Sequence, residues 1–233
     1  RDVAPSRGLG DVYKRQVSKK EKDRVRAAYG LPERFILSVG TIEERKNLLL
    51  AVKAVEKLDD VHLVAIGKST DYAKKVQDYV EAHGLENRVH IIHNLKFGDL
   101  PILYHLASLF VYPSRFEGFG IPIVEALSAG VPVIASTGSC LEEAGGEHSI
   151  YVDPDDVEGM ANAMKKVLAD EHLRREMIEK GKEYVVRFDP KTLADEMNAV
   201  YLKCFDDKTF TEDRFVQTSS NKRTKISHYL PFF

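Results

Sequence analysis

Residues 109–136 read LFVYPSRFEGFGIPIVEALSAGVPVIAS, and this stretch contains one complete strand, loop, helix and strand unit. Two short apolar runs, Leu109–Tyr112 and Val131–Ile134, have no polar alternation, which is typical of strands buried on both faces. Between them, Pro122 stands where a helix accepts proline in its first turn, and the helical pattern continues to Ala129. This order predicts two parallel strands joined by a right-handed crossover.

The same alternation extends in both directions along the chain. Further strand-length apolar runs occur at Phe35–Val39, Val61–Ile66, Val89–Ile92 and Ile150–Val152. The segments between the runs carry apolar residues spaced by three and four, as between Leu48 and Leu58, and each stripe predicts one buried helix face. Because helices must cover both faces of such strands, the sequence predicts an α/β fold, a Rossmann-like doubly wound parallel sheet of about six strands.

Composition narrows the class of protein. The 233 residues include 34 basic and 36 acidic ones, so no positive excess is available to neutralise a phosphate backbone and nucleic acid is not expected as a partner. No apolar run reaches the roughly 18 residues of a membrane span and no secretory leader is present, so we expect a cytoplasmic protein. Cys140 and Cys204 are too few for a disulfide framework or a zinc site, and no metal site is predicted.

The chain opens at Arg1 and its first methionine is Met160, so we expect it to be a piece of a longer protein. Asp189 and Pro190 have the residue types of an N-cap and a first helical position, which predicts a last helix starting there. The predicted division of the chain is a non-native or disordered lead at 1–16, a Rossmann-like domain at 17–189, a final helix at 190–204 and an irregular tail at 205–233.

Ligand-binding residues are expected at the carboxyl ends of the strands, where loops converge and helix N-termini direct positive partial charge into the crevice. The first strand ends at Gly40 and Thr41, and the chain then reaches Arg45 and Lys46 before a helix. A guanidinium and an ammonium side by side suit a diphosphate, although a basic pair at a helix start is by itself more often a solvated surface.

The loop after the fourth strand is the most informative part of the sequence. The residues before Pro122 include two glycines, so the backbone amides of Phe119, Gly120 and Ile121 are expected to face the crevice as unpaired donors. Glu117 and Glu125 flank this turn, and each carboxylate can accept hydrogen bonds from sugar hydroxyls.

A dinucleotide-binding fingerprint is present only superficially in the same loop. Gly118 and Gly120 have its spacing, but the third glycine is missing near Val124, and the loop follows the fourth strand rather than the first. The sequence therefore does not favour an NAD site.

From Phe35 to about Arg187 the chain resembles the C-terminal domain of the retaining GT-B glycosyltransferases of the glycogen-synthase-like and mannosyltransferase-like superfamily. The hallmark is a pair of glutamates separated by seven residues, here Glu117 and Glu125 within the string quoted above. Supporting matches are Val39-Gly40-Thr41, Arg45-Lys46-Asn47, Leu103-Tyr104 through Ala107, Glu143 and Val152-Asp153-Pro154. Agreement at this many ordered positions makes the resemblance specific.

The resemblance implies a role for each matching residue. Glu125 would hold the ribose hydroxyls and Glu117 would lie beside the donor sugar, while Lys46 would meet the diphosphate and offset charge on the leaving group. Many members carry an arginine directly after the strand glycine, whereas this chain has Thr41 there and Arg45 beside the lysine. The implied catalytic residues are Glu117, Lys46 and Arg45, and the implied donor-binding residues are Gly40, Thr41, Arg45, Lys46, Gly118, Phe119, Gly120, Ile121 and Glu125.

The implied reaction moves a sugar from a nucleoside diphosphate sugar to an acceptor hydroxyl with retention of the anomeric configuration, without a further cofactor or a required metal. In this architecture an N-terminal domain binds the acceptor; that domain is missing here, so the isolated chain is expected to be poorly active or inactive. Membrane association could come only through the missing half. The base would lie against the loop around Asn94–Lys96.

Two other functions stay open from the sequence. One is a non-catalytic module that binds a nucleotide-sugar. The other is a GT-B-fold nucleotide-sugar epimerase or phosphorylase, which would need an acid-base set or a cofactor lysine that cannot be identified in the sequence.

Overall fold

The computed structural model describes residues 17–206, so the predicted lead at 1–16 and the tail beyond residue 206 lie outside the described residues. One parallel sheet has the strand order β3-β2-β1-β4-β5-β6. Its strands are β1 (Ile36–Val39), β2 (Leu63–Ile66), β3 (Val89–Ile92), β4 (Leu109–Tyr112), β5 (Val133–Ser136) and β6 (Ile150–Val152). The predicted α/β sheet is confirmed, and its order reverses between β1 and β4, where such folds place their ligand crevice.

Helices cover both faces of the sheet. They are α1 (Lys19–Tyr29), α2 (Leu48–Glu56), α3 (Asp71–Ala82), α4 (Leu100–Leu106), α5 (Ile121–Ser128), α6 (Leu141–Gly145), α7 (Val157–Ala169) and α8 (Glu171–Val185). A separate helix, α9 (Pro190–Asp206), follows in the chain. One apolar core contains buried residues of α2, α3 and α7, and the other contains those of α1, α4, α5 and α6. Among residues 17–206, no helix combines the length and the apolar character needed to cross a membrane.

The chain divides into two compact units, the first ending at Phe188 and the second containing α9. Within the second unit, the Asp189 carboxylate accepts a hydrogen bond from the Lys191 amide at 3.2 Å, which agrees with the predicted cap. The helix continues to Asp206, two residues beyond the predicted end at Cys204, because the apolar pattern that defined that end does not mark where backbone hydrogen bonding stops.

Two strands begin two residues later than the apolar runs suggested. β5 starts at Val133 rather than Val131, because the Val131 amide is bonded to the Ala126 carbonyl at the end of α5 (2.9 Å) and Pro132 has no N–H for the sheet. β2 starts at Leu63 rather than Val61, since the chain leaves a turn at Asp60, whose φ is 51°.

Gly67 sets how closely the loops that follow β1 and β2 can approach. A Cβ atom at Gly67 would lie 1.8 Å from the carbonyl oxygen of Gly40, the residue that follows β1. The backbones can therefore meet only because no side chain stands between them.

We expect Gly67→Ala to lower the free energy of unfolding by about 1–3 kcal/mol or more, because the loop after β1 must move to admit a methyl group. Urea unfolding followed by circular dichroism measures the change. Gly98→Ala is the matched control, because nothing lies within 4 Å of a Cβ at Gly98. Equal stability losses in the two variants would contradict this account of Gly67.

Candidate functional site

Two loops meet at the carboxyl end of the sheet because β1 and β4 are paired neighbours, with Ile36 opposite Leu109. We call the loops 40–47 and 113–120 together the site rim. Their main chains are joined directly, since the Arg115 amide donates to the Arg45 carbonyl at 2.9 Å. The position of each loop is therefore fixed by backbone contacts to the other.

A charged cluster occupies the centre of the site rim. The Lys46 ammonium lies 2.6 Å from Glu117 Oε1 and donates a hydrogen bond to the Tyr112 hydroxyl at 2.7 Å. The Arg45 guanidinium lies 3.1 Å from Glu117 Oε2 and donates to the Phe116 carbonyl at 2.6 Å. The Glu117 side chain is only 9% exposed and that of Lys46 16%, whereas that of Arg45 is 43% exposed. One carboxylate is thus shared by two cations, one of which faces solvent.

Electrostatics at the site rim favour charged Glu117. Burial by itself would raise the pKa of this carboxyl, but hydrogen bonds from Lys46 and Ser114, with further help from Arg45, outweigh burial and hold the pKa below its ordinary value. The Ser114 hydroxyl contributes at 2.5 Å. Burial raises the pKa of Tyr112, as does the negative charge of Glu117, so its phenol stays protonated.

This lowered pKa predicts a pH dependence of stability. Because folding depresses the pKa of Glu117, its contribution is fully present above the ordinary value of 4.5 and is lost as the pH falls through the lowered value. We expect the melting temperatures of the wild type and Glu117→Gln to differ most above the ordinary pKa of 4.5 and to converge as the pH falls below it. Thermal unfolding across this range measures the difference. The exposed Glu86→Gln should follow the wild-type profile, and a pH-independent gap for Glu117→Gln would contradict the assignment.

The Lys46 side chain passes over Gly40 on its way to the cluster. The φ of Gly40 is +151°, in the region that side chains rarely adopt, and a Cβ there would lie 3.6 Å from the Lys46 side-chain carbons. The lysine chain therefore lies directly over Gly40. Thr41 contributes through its backbone carbonyl, which accepts a hydrogen bond from the Glu43 amide at 2.9 Å.

The turn between Glu117 and α5 forms the other side of the site rim. Gly120 is the N-cap of α5 with φ 111°, and Leu141 and Ala144 lie 3.1–3.2 Å from where its Cβ would be, so a side chain is excluded there. Gly118 and Ile121 are exposed, and the Phe119 ring packs edge-on against Phe188 with centroids 5.3 Å apart.

The predicted anion-facing amides have the geometry of a helix N-terminus. Within residues 17–206, no hydrogen bond is recorded for the backbone N–H groups of Phe119, Gly120 and Ile121. Amides at the first turn of a helix are free to bind anions or hydroxyls. Within the described part of the chain these three amides are unpaired, as the loop sequence predicted, and their contact with a ligand stays a prediction.

Glu125 lies one turn into α5. Its carboxylate accepts a hydrogen bond from the buried Tyr104 hydroxyl at 2.9 Å. Burial is the main cause of the raised pKa of Tyr112, and the charge of Glu125 adds to it. Glu125 thus lies on the helix that follows the Glu117 loop, and a shared ligand for the two carboxylates stays a prediction.

The loop after β3, predicted to lie near the base, is tied to α1. The Lys96 amide donates to the Tyr29 hydroxyl at 3.1 Å, and that hydroxyl donates to Asp99 at 2.9 Å. Arg24 also pairs with Asp99 at 2.5 Å, so α1 fixes this loop, while the Phe97 ring is 82% exposed. The contact with a base stays a prediction.

Three side chains in the site were not predicted from the sequence. Tyr112 and Ser114 contact the charged cluster, and Tyr104 holds Glu125. The sequence predicts Tyr112 only as the end of an apolar strand. Its position as the last strand residue before the site loop is the feature that could have indicated a role in the site. Among the described residues, no group of three or more His, Cys, Asp or Glu side chains could hold a metal ion.

Comparisons with known proteins identify the family and the fold of the chain. The family model described as glycosyl transferases group 1 matches residues 19–184. The O-antigen chain mannosyltransferase RfbU of Salmonella typhimurium is 34% identical over 174 residues, which are 74% of this chain and 45% of that protein.

Solved structures show the same fold. Sucrose-phosphate synthase from Thermosynechococcus elongatus superposes with a TM-score of 0.72 and 27% identity, over 84% of this chain and 51% of that one. Anabaena HepE, solved with UDP and glucose, superposes with a TM-score of 0.73 and 20% identity, over 83% and 54%. This chain therefore spans about half the length of the proteins that it matches. Because the family model covers most of the chain, including the whole site rim, the chain belongs to the glycosyl transferases group 1 family.

Proposed function

We propose that this chain is the donor-binding half of a retaining glycosyltransferase, which transfers a sugar from a nucleoside diphosphate sugar to an acceptor hydroxyl. The observation that carries the proposal is the meeting of Arg45, Lys46 and Glu117 at the site rim, from loops about 70 residues apart in the sequence. Anion-binding amides and a second carboxylate, Glu125, follow on the next helix.

Each charged group has a part in this proposal. Lys46 and Arg45 bind the diphosphate and stabilise the negative charge that grows on it as the sugar leaves. The helix N-terminus at Phe119–Ile121 donates hydrogen bonds to the sugar or the diphosphate, and Glu125 accepts hydrogen bonds from the ribose. Glu117 lies beside the donor sugar. Its two cations can turn towards the diphosphate when the donor binds, because Arg45 is already partly exposed.

The domain organisation belongs to the same proposal. Residues 17–189 form the donor domain, and residues 190–204 form the helix that returns towards an N-terminal acceptor domain. Relatives about twice as long as this chain support such a partner domain. Without it, the chain binds donor weakly and transfers slowly, and any membrane association comes from that half of a cytoplasmic protein. Turnover by the isolated chain at ordinary enzyme rates would contradict this division of labour.

We further propose that donor binding requires no metal ion. Cationic side chains and the α5 N-terminus take the part of a metal towards the diphosphate. Calorimetric titration of the donor in EDTA and in Mg²⁺ tests this, and equal affinities are expected. An affinity that depends on Mg²⁺ would contradict it.

A thermal-shift screen tests the proposed ligand class. UDP, GDP, ADP and their glucose or mannose derivatives are compared with the corresponding nucleosides. A ligand at ten times its Kd adds ~1.4 kcal/mol to folding, or roughly 3–6 °C for a chain of this size. We expect at least one nucleoside diphosphate to raise the melting temperature while its nucleoside does not. No shift with any diphosphate would overturn the proposal.

The binding screen does not separate an enzyme from a non-catalytic module. Glu117→Ala in the full-length protein does, because transfer should be lost only if this domain supplies a catalytic carboxylate. Transfer of radiolabelled sugar to acceptor measures the loss, and unchanged transfer would favour the non-catalytic module.

A further inference from the structure

We propose that Tyr112 is a positioning residue that holds Lys46 ready for the diphosphate through its hydroxyl group, an inference that rests on the proposed function. Tyr112 is the last residue of β4 and is 2% exposed, and its neighbour in the sheet is β1, which leads into the lysine loop. The phenol therefore comes from the rigid sheet, whereas the ammonium it contacts comes from a loop.

One hydrogen bond defines the arrangement. The Tyr112 hydroxyl accepts from the Lys46 ammonium at 2.7 Å. Burial and the charge of Glu117 raise the pKa of the phenol, so it stays a neutral hydrogen-bond partner of the cation. The Tyr112 ring is fixed in turn by stacking on Phe110, with centroids 5.9 Å apart.

The two partners of Lys46 differ in charge, and this gives Tyr112 a distinct role. Glu117 is an anion and competes with a diphosphate for the ammonium, so this ion pair must weaken when the donor binds. The phenol is neutral and can keep its hydrogen bond while the other N–H groups of the ammonium turn to phosphate oxygens. Tyr112 thus limits the freedom of the lysine without neutralising it, which reduces the entropy lost on binding.

Tyr112→Phe tests the role of the hydroxyl alone. The ring remains, and with it the stacking on Phe110 and the cation–π contact with Lys46, whose ammonium lies 5.1 Å from the ring centroid. Calorimetry on the 233-residue chain compares the diphosphate found in the screen with its monophosphate. We expect the ratio of the two affinities to fall by about 3- to 10-fold, because the terminal phosphate depends on the lysine.

Tyr104→Phe is the matched control. It removes the same group from another buried tyrosine, but from one that holds Glu125 rather than Lys46. It should weaken the diphosphate and the monophosphate equally, because both contain the ribose. In the Lys46→Met background, Tyr112→Phe should change the ratio no further.

The outcomes separate the two proposals. An unchanged ratio in Tyr112→Phe, or an equal loss for both nucleotides, overturns the positioning role and leaves the proposed function intact. A fall in the ratio that persists in the Lys46→Met background also overturns it. If no diphosphate binds the parent chain, the proposed function itself fails, and the inference fails with it. If Tyr112→Phe does not fold, Lys46→Arg replaces it, because the longer side chain keeps the charge but moves it away from the Tyr112 hydroxyl. A ratio of diphosphate to monophosphate affinity equal to that of the parent chain would then overturn the positioning role.

Discussion

The Lys46→Met variant is expected to bind nucleoside diphosphates about 10- to 100-fold more weakly than the parent chain. Methionine matches the length of the lysine carbons that lie over Gly40, so the change removes the charge and leaves the packing. The loss should be much smaller for the monophosphate. In the full-length enzyme, the same change is expected to lower kcat by about 10²- to 10³-fold, because charge on the leaving group loses its stabilising partner.

The same variant should also be less stable. Glu117, 9% exposed, would keep Arg45 and Ser114 as partners but lose its shortest ion pair, at a cost of about 1–3 kcal/mol. Adding Glu117→Gln should restore part of this stability without restoring affinity. Lys68→Met, which removes an exposed charge after β2, is the control. Unchanged diphosphate affinity in Lys46→Met would refute the assignment of this lysine.

Glu125→Ala is expected to lower the affinity for both nucleoside diphosphate and monophosphate by about 10- to 100-fold, since charge-assisted hydrogen bonds to the ribose are lost. The equal loss distinguishes Glu125 from Lys46. The buried Tyr104 hydroxyl would lose its acceptor as well, which costs about 1–3 kcal/mol of stability. Calorimetry measures the affinities.

Glu125→Gln is the matched control for this second variant. It keeps the size of the side chain and one acceptor oxygen for Tyr104, so it should retain most of the stability and lose less affinity than alanine. A Glu125→Ala chain that bound nucleotides as tightly as the parent would exclude a ribose contact.

The sheet was predictable from the sequence because its strands are continuous apolar runs. The loops that contain Lys46 and Glu117 were predicted to lie at one edge of the sheet because each follows the carboxyl end of a parallel strand. What the sequence lacked was the neighbour relation between strands. Tyr112 can reach Lys46 only because β4 pairs with β1, which no local pattern encodes. The contact of Gly67 with the Gly40 carbonyl is likewise a distance between backbones of different strands.

The site offers a similar contrast. The family resemblance, rather than the residue types, predicted a diphosphate at Lys46, since a basic pair at a helix start is by itself more often a solvated surface. The direct ion pairs of Glu117 with Arg45 and Lys46 could not be predicted. They depend on the side-chain rotamers and on the main-chain hydrogen bond between the two loops of the site rim. The contact between Tyr104 and Glu125 could not be predicted for the same reason. The two residues are 21 positions apart in the sequence, and their hydrogen bond depends on how α4 and α5 pack in space.

The hydrogen bond from the Arg115 amide to the Arg45 carbonyl is relevant to protein engineering. Because the Arg115 amide holds the main chain at position 45, this contact between the loops survives when the side chain there is replaced, although the Arg45 contacts with Phe116 and Glu117 are lost. A library of amino acids at this single position could therefore be sampled to alter affinity for the diphosphate while the neighbouring lysine keeps its own partners. Position 45 is for that reason a natural starting point for redesign.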